Sequence, residues 1–375
     1  MDPQTNKRIL YLGGFELPDK NAAAQRVVAN AKLLREMEFE VSFIGISKDI
    51  KNAPSSVDGF ANYPIPYPTN TKEWIHQICV FKDINYIVNS KPDYVILYNF
   101  PAVASLRILK ACHKHGIKVI HDLTEWESCK GWTTADIVRR IDIILRMRYC
   151  TKRMDGVIAI SKYLYDYYKD YTNTIQVPPT VDLQDPKFCR TRTLESSDSK
   201  LKLVYAGSPG VVASKDRLDL IIKEVNSLPQ VQLDIVGLTE QQYRDVFGNS
   251  VEVSKNVIFH GRVSHLEAIR FVCDADFQML IRQYTLKNNA GFPTKFVESF
   301  SCCTPLIATV TSNICDYLQD GVNGFIVNEK NPIGNVIKFA STMSAAEKIK
   351  MKMACRNYKE FDYRAYKDEF SKLFK

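Results

Sequence analysis

The stretch from Asn289 to Ile307, NAGFPTKFVESFSCCTPLI, gathers residue types that suit an anion-binding site. A Gly-Phe-Pro turn runs into a helix, with Thr294 placed to cap it and Glu298 a little over one turn further in. Unpaired backbone N–H groups at such a helix start, together with the helix dipole, offer a site for a phosphate group. A fixed carboxylate at Glu298 suits the vicinal hydroxyls of a ribose, which donate hydrogen bonds to it. An ordinary capped helix with a surface glutamate is the plain alternative, because one capping motif says little alone.

The elements around this segment alternate. RILYLGG, EVSFIGIS, DYVILYN, KVIHDL and GVIAIS read as short apolar strands, separated by helical stretches such as NAAAQRVVANAKLLREME and SLRILKACHKHG. Near residue 177 the proline-rich QVPPTVDLQDPKF loses all periodicity and marks a domain boundary. The alternation then restarts with KLVYAGS, QLDIVG, NVIFHG, FQMLI, TPLIAT and GFIV. Strands alternating with helices imply parallel sheets covered on both faces. The expected class is therefore α/β, with two Rossmann-like domains and a ligand crevice between them. The expected divisions are residues 1–180, residues 181–355, and an amphipathic helix over 356–375 packing back on the body.

Composition agrees with two medium domains: 375 residues, 45% hydrophobic and 25% charged. The formal charge of +8 suits an anionic ligand or a membrane surface, and no nucleic-acid-binding motif accompanies it. No run approaches the ~18 apolar residues of a membrane-spanning helix. The opening MDPQTNKRILYLGG lacks a signal-peptide apolar region, so a cytoplasmic location is expected. Ten scattered cysteines without a C-x-x-C read as small buried residues in a reducing compartment. His113, His115 and His121 run from a helix end into a strand, so no bound metal is expected.

The segment GFPTKFVESFSCCTPLIATVTSNICDYLQDGVNGFIV resembles the donor-binding region of family 4 retaining glycosyltransferases. Asp320, Gly321, Gly324 and Val327 fit that family's D-G-x-x-G-x-x-V ending. NVIFHGRVSHLEAIRFVCDADFQMLI, the N-terminal ILYLGG…ANAKLLREMEFEVSFIG and the linker VPPTVD resemble other parts of it, in the right order. The resemblance implies a GT-B fold, a nucleotide-sugar donor (a UDP-sugar foremost) in the C-terminal domain, and an acceptor in the N-terminal domain. The acceptor would be a glycan or lipid-linked glycan. The sugar would move with retained configuration and without a metal or other cofactor.

By that resemblance the leaving diphosphate would be stabilised by the Gly13-Gly14 loop, Lys215 and the helix start around Thr294. Gly207, Ser208, Gly237, Arg262 and Val263 would line the donor, with Gly291, Phe292, Pro293, Lys295 and Glu298. A tight turn at the two glycines and a solvated lysine at a helix entry are the alternatives. Two departures stand out. Ala290 occupies the place of the family's first glutamate, at a position expected to be partly solvated, and Ser208-Pro209-Gly210 replace an arginine. Arg282, leaving the strand FQMLIR, is the candidate replacement, with a strand-end charge as the alternative.

For the acceptor, VIHDLTEWES ends a strand with His121, Asp122, Glu125 and Trp126. Asp122 or His121 is the candidate to assist proton removal; alternatively Asp122 caps a helix and Trp126 is core. Residues 137–153, IVRRIDIILRMRYCTKR, hold six Lys/Arg and one acid. Arg139, Arg146 and Arg153 recur every seven residues, predicting a basic face opposite a core-facing apolar side. That face is either solvated or meets anionic lipid. A non-catalytic sugar-nucleotide-binding subunit and a sugar-nucleotide epimerase remain the competing functions.

Overall fold

The computed structural model describes residues 6–81, 83–129, 131–197, 199–209, 215–248 and 252–374. The chain forms two units, one of Met1–Val181, Ala290–Phe292 and Tyr363–Lys375, the other of Asp182–Asn289 and Pro293–Asp362.

Strands of the first unit are β1 (Arg8–Gly13), β2 (Glu40–Ile44), β3 (Ile46–Ser47), β4 (Ser56–Val57), β5 (Phe60–Asn62), β6 (Ile65–Pro66), β7 (Tyr94–Tyr98), β8 (Lys118–Leu123), β9 (Gly156–Ala159) and β10 (Thr174–Gln176). Its helices are α1 (Ala22–Glu36), α2 (Thr71–Ile75), α3 (Ile84–Asn89), α4 (Ala102–His113), α5 (Thr134–Leu145) and α6 (Lys162–Tyr168). The main sheet runs β10-β9-β8-β7-β1-β2-β5-β4, parallel except for the β4–β5 pair. Helices cover both faces, so β7 reads YVILY without a polar alternate. Asn21 caps α1 by accepting from the Ala24 N–H at 2.9 Å, and Val27, Ala31 and Leu34 bury one stripe of that helix.

At the end of β8 the Asp122 carboxylate is fully buried. Arg26 of α1 donates to it from Nε at 3.0 Å and from Nη2 at 2.8 Å. The remaining Arg26 nitrogen, Nη1, donates to the carbonyls of Val177 and Pro178, each at 3.0 Å. Tyr11 of β1 donates its hydroxyl at 2.5 Å, and Asn30 donates to that hydroxyl at 3.0 Å. One carboxylate thus ties α1, β1, β8 and the chain leaving β10.

The second unit has β11 (Leu201–Ala206), β12 (Val231–Val236), β13 (Val257–Gly261), β14 (Phe277–Leu280), β15 (Leu306–Thr309) and β16 (Gly324–Val327). They form a parallel sheet in the order β13-β12-β11-β14-β15-β16. The helices continue as α7 (Leu218–Val225), α8 (Glu240–Phe247), α9 (His265–Asp274), α10 (Leu286–Ala290), α11 (Thr294–Ser301), α12 (Ile333–Thr342), α13 (Ala345–Asn357) and α14 (Lys367–Ser371).

Two expectations are corrected. The single helix over 356–375 is absent: α13 stops at Asn357, and Tyr358 turns extended (φ −77°, ψ 123°). That turn lets Phe361 pack against Phe296 and Tyr317, with ring centroids at 5.8 and 5.1 Å. The chain then forms a 3₁₀ turn at Tyr363–Tyr366 and α14, whose Phe370 enters the first unit's core. The basic side of α5 is only in part solvated, since Arg139 and Arg153 are exposed while Arg146 is buried. Arg139 and Arg146 share a side, but it turns toward Glu127 (3.1 and 3.2 Å), and Arg146 is buried with Nη1 on the Asn99 carbonyl at 2.7 Å. Ile137, Ile141, Ile144 and Leu145 are consequently exposed.

Because breaking a buried ion pair strands a charge, Asp122→Asn should destabilise the first unit by about 3–5 kcal/mol. Urea unfolding of the full chain would read this as a lowered midpoint, and an unchanged midpoint would show that the pair contributes nothing.

Candidate functional site

The second unit's site grows from the carboxyl ends of β11, β12 and β14. Gly207 and Gly237 follow β11 and β12 with φ of +119° and +115°, where side-chain-bearing residues are rare. A Cβ at Gly207 would lie 2.6 Å from the Lys295 Cε, and one at Gly237 would lie 2.8 Å from the Gly207 carbonyl oxygen. Gly207 N–H donates to Val236 and Gly237 N–H to Gly261, both at 2.8 Å. Glycine is what lets these strand ends stack and lets Lys295 pass beneath them.

Residues 215–217 run back beside the end of β14. Asp216 bridges Arg282, and the Arg217 N–H donates to the Ile281 carbonyl at 2.7 Å. Asn288 Nδ2 fastens the segment by donating to the carbonyls of Lys215 at 3.4 Å and Gln283 at 2.9 Å. This places Asp216, fully buried, where Arg282 Nε donates to Oδ1 at 2.6 Å and Tyr205 Oη donates to Oδ2 at 2.7 Å. The Lys295 ammonium, from the first turn of α11, also sits on Oδ2 and lies 2.7 Å from Tyr205 Oη.

Burial works to raise the Asp216 pKa, but Lys295 and then Arg282 overcome it and hold the carboxyl well below its usual range. Burial lowers the pKa of the Lys295 ammonium; Asp216 opposes that shift and Arg282 adds to it. Burial, with Asp216 second, raises the Tyr205 phenol far above its usual range, so it stays a donor. Two cations share one carboxylate. Lys215 is half-buried beside them, and its ammonium has no partner among the described residues. The cluster therefore carries spare positive charge.

On the same helix, Glu298 is three residues beyond Lys295, with Oε1 at 3.3 Å from His265 Nε2. His265 opens α9, whose N-cap Ser264 accepts from the Glu267 N–H at 3.2 Å. Arg262, exposed, and Val263, half-buried, form the loop between Gly261 and that cap. Gly207, Ser208, Lys215, Arg282 and Lys295 are thus brought together with Glu298 close by, the Ser208 carbonyl lying 3.5 Å from Lys295 Nζ. Asp216 and Tyr205 escaped the sequence reading. Their signal was an acid directly after Lys215 and a tyrosine two residues before Gly207.

Several expectations change. Pro293, not Thr294, is the N-cap of α11, and no side chain caps it. Ala290 is fully buried, with its carbonyl accepting from Ser161 Oγ at 2.7 Å, so the position is not partly solvated. Phe292 and Pro293 are buried as well, and Gly291 half-buried. His121 is fully buried, with Nδ1 3.0 Å from Thr151 Oγ1 and Nε2 3.2 Å from Ser105 Oγ. Burial, reinforced by Arg146, pushes its pKa down to about 3, leaving a neutral ring with both nitrogens engaged. Asp122 belongs to the Arg26 pair. Neither side chain is open to an acceptor hydroxyl.

Glu125 and Trp126 are half-buried, the Trp126 ring standing edge-on to Tyr167 at 5.0 Å. Gly13 is required by packing, since a Cβ would lie 2.6 Å from that of Tyr98, whereas Gly14 is exposed with room around it. Among the described residues, no three His, Cys, Asp or Glu side chains converge as metal ligands, and no helix is long and apolar enough to cross a membrane.

The Asp216 carboxyl has a lower pKa folded than unfolded, so its stabilising contribution is complete above the unfolded value of about 4 and is lost as pH falls below it. Asp216→Asn should therefore lower stability at neutral pH and flatten the acid side of the stability curve. Urea titrations across the acid range check this, and an unchanged slope would detach Asp216 from the two cations.

Residues 190–360 match a family model described as "Glycosyl transferases group 1". No curated protein sequence matches the chain. Among solved structures it is similar to sucrose-phosphate synthase from Thermosynechococcus elongatus, with TM-score 0.73 and 14% identity over 98% of both chains. A glycosyltransferase from Rickettsia africae gives 0.67 and 13% over 99% of both. HepE from Anabaena, solved in complex with UDP-glucose, gives 0.63 and 13% over 98% of this chain and 99% of its own. The architecture is that of two Rossmann-like α/β domains in a GT-B-like fold.

Proposed function

We propose that the chain is a retaining glycosyltransferase that binds a UDP-sugar in its second unit and passes the sugar to a hydroxyl of a glycan or lipid-linked glycan. The observation that carries this reading is the cluster of Lys295 and Arg282 around one buried carboxylate, beside Lys215, whose ammonium has no partner among the described residues. It lies at the carboxyl ends of parallel strands, where doubly wound sheets take their ligands. The match of residues 190–360 to the glycosyltransferase family and the UDP-glucose complex of HepE support the choice of ligand.

In this reading Lys215 meets the diphosphate directly, while Asp216 holds Arg282 and Lys295 so that they stabilise charge on the leaving group. Protein cations do this work, so no metal is required. Glu298, oriented by His265, accepts from the ribose hydroxyls. The Thr294 N–H takes part in holding the sugar, with no carboxylate at 290; Pro293 has no N–H to offer. Glu125 and Trp126 remain as acceptor contacts. The cysteines among the described residues are unpaired, which fits a reducing compartment, and the reading places the reaction in the cytoplasm.

A non-catalytic sugar-nucleotide-binding subunit is the second reading, favoured by Ala290 and its full burial. A panel of UDP-, GDP- and ADP-sugars separates the two. Slow nucleotide release supports the transferase, whereas binding without release under any acceptor mixture assigns the subunit.

Lys215→Ala and Glu298→Ala should each lower kcat/KM by about ten- to a hundredfold, the loss of one charge-assisted contact worth about 1.5–3 kcal/mol. Near-normal turnover in both variants would remove the donor site from this position. EDTA should leave turnover unchanged, and loss restored by a divalent ion would overturn the metal-free assignment.

A further inference from the structure

The sharpest misfit between sequence pattern and burial lies on α5. Ile143 is the buried residue of this helix, while Ile137, Val138, Ile141, Ile144 and Leu145 are exposed, Ile141 by 52%. The spacing i, i+1, i+4, i+7, i+8 puts all five on one face. The face continues into exposed aromatics at both ends. Trp132 is 81% exposed with the Arg140 guanidinium 4.8 Å from its ring, and Tyr149 is exposed with Arg153 at 3.4 Å.

Charge around the stripe has one sign. Arg148, in the π-helical turn Arg146–Cys150 that follows α5, is exposed and has no partner among the described residues, while Arg140 and Arg153 lie near the exposed aromatics. The acids of the helix are engaged elsewhere: Asp142 accepts from the Ala102 N–H at 2.8 Å, and Asp136 completes the capping box with Thr133.

We infer that α5 lies in the surface of an anionic lipid bilayer, with its isoleucines in the acyl boundary and Arg140, Arg148 and Arg153 among the headgroups. Apolar stripe, interfacial Trp and Tyr, and arginine rims are the combination that interfacial helices use. A second copy of the chain fits less well. A two-fold contact over this stripe would bury Arg148 with no free carboxylate on the helix to meet it, because Asp136 and Asp142 are already engaged. A helix of three turns, ~18 Å long, also falls short of the ~800 Å² per partner that a stable interface buries. The surface shares no residue with the proposed donor site, so either assignment can fail alone.

Co-sedimentation of the full chain with phosphatidylcholine vesicles, with and without phosphatidylglycerol, tests this. Binding should require the anionic lipid. It should shift tryptophan emission to the blue, and the Trp132→Phe variant should lose that shift. Ile141→Asp should weaken binding more than about tenfold and Arg148→Gln about fivefold, with UDP-sugar binding unchanged in both. Equal recovery on neutral vesicles, or binding that survives Ile141→Asp, overturns the inference. A dimer in sedimentation velocity that Ile141→Asp dissolves would give the face to a second copy instead.

Discussion

A carboxylate withdrawn from water has to be met by cations and hydrogen-bond donors, and each unit of this chain is arranged around one such group. Asp122 and Asp216 have no solvent exposure. Around Asp122 the arginine of α1 reaches both the end of β8 and the carbonyls that follow β10. Around Asp216 the end of β14, the returning segment 215–217 and the first turn of α11 are drawn to one point. Removing either acid would leave buried cations unmatched, so these positions constrain what the surrounding elements can do.

The two clusters share a device. Both first strands end alike, Tyr11-Leu12-Gly13-Gly14 and Tyr205-Ala206-Gly207-Ser208, and in each the tyrosine hydroxyl donates to the buried acid. The acids come from unrelated places, one from β8 and one from the segment after β11, so the likeness is in chemistry and not in connectivity. The charge count differs. Arg26 alone faces Asp122 and spends Nη1 on two carbonyls, which closes that cluster. Lys295 and Arg282 together face Asp216, which leaves the second cluster positive.

The strands were legible because parallel strands covered on both faces read as apolar runs. Orientation was not legible. The seven-residue recurrence of Arg139 and Arg146 correctly sets them on one side of α5, but periodicity separates two faces without saying which is inside; Glu127 and the Asn99 carbonyl decide that. Likewise His121 and Asp122 sit at a strand end, where a polar residue can serve a ligand or the core. Only the positions of Arg26, Ser105 and Thr151, distant in sequence, show the core to have claimed them. In the candidate site, glycines and cations were visible by type, while the acid organising them required the fold of 215–217 onto β14.

Lys295 shows why that organisation matters. A lysine in the first turn of a helix opposes the positive end of the helix dipole, and burial further disfavours its ammonium. Local rules are broken in this way where another level of structure compensates, and here the compensation is Asp216. The same carboxylate is shared with Arg282, so it cannot neutralise both, and the helix start adds its own partial positive charge. Three sources of positive potential therefore converge where glycine has removed the side chains from the strand ends. An anion arriving there meets groups already desolvated and fixed by the fold, so little reorganisation is needed to receive it. The free protein holds this arrangement with one acid facing two buried cations, a balance that favours an anion at this point.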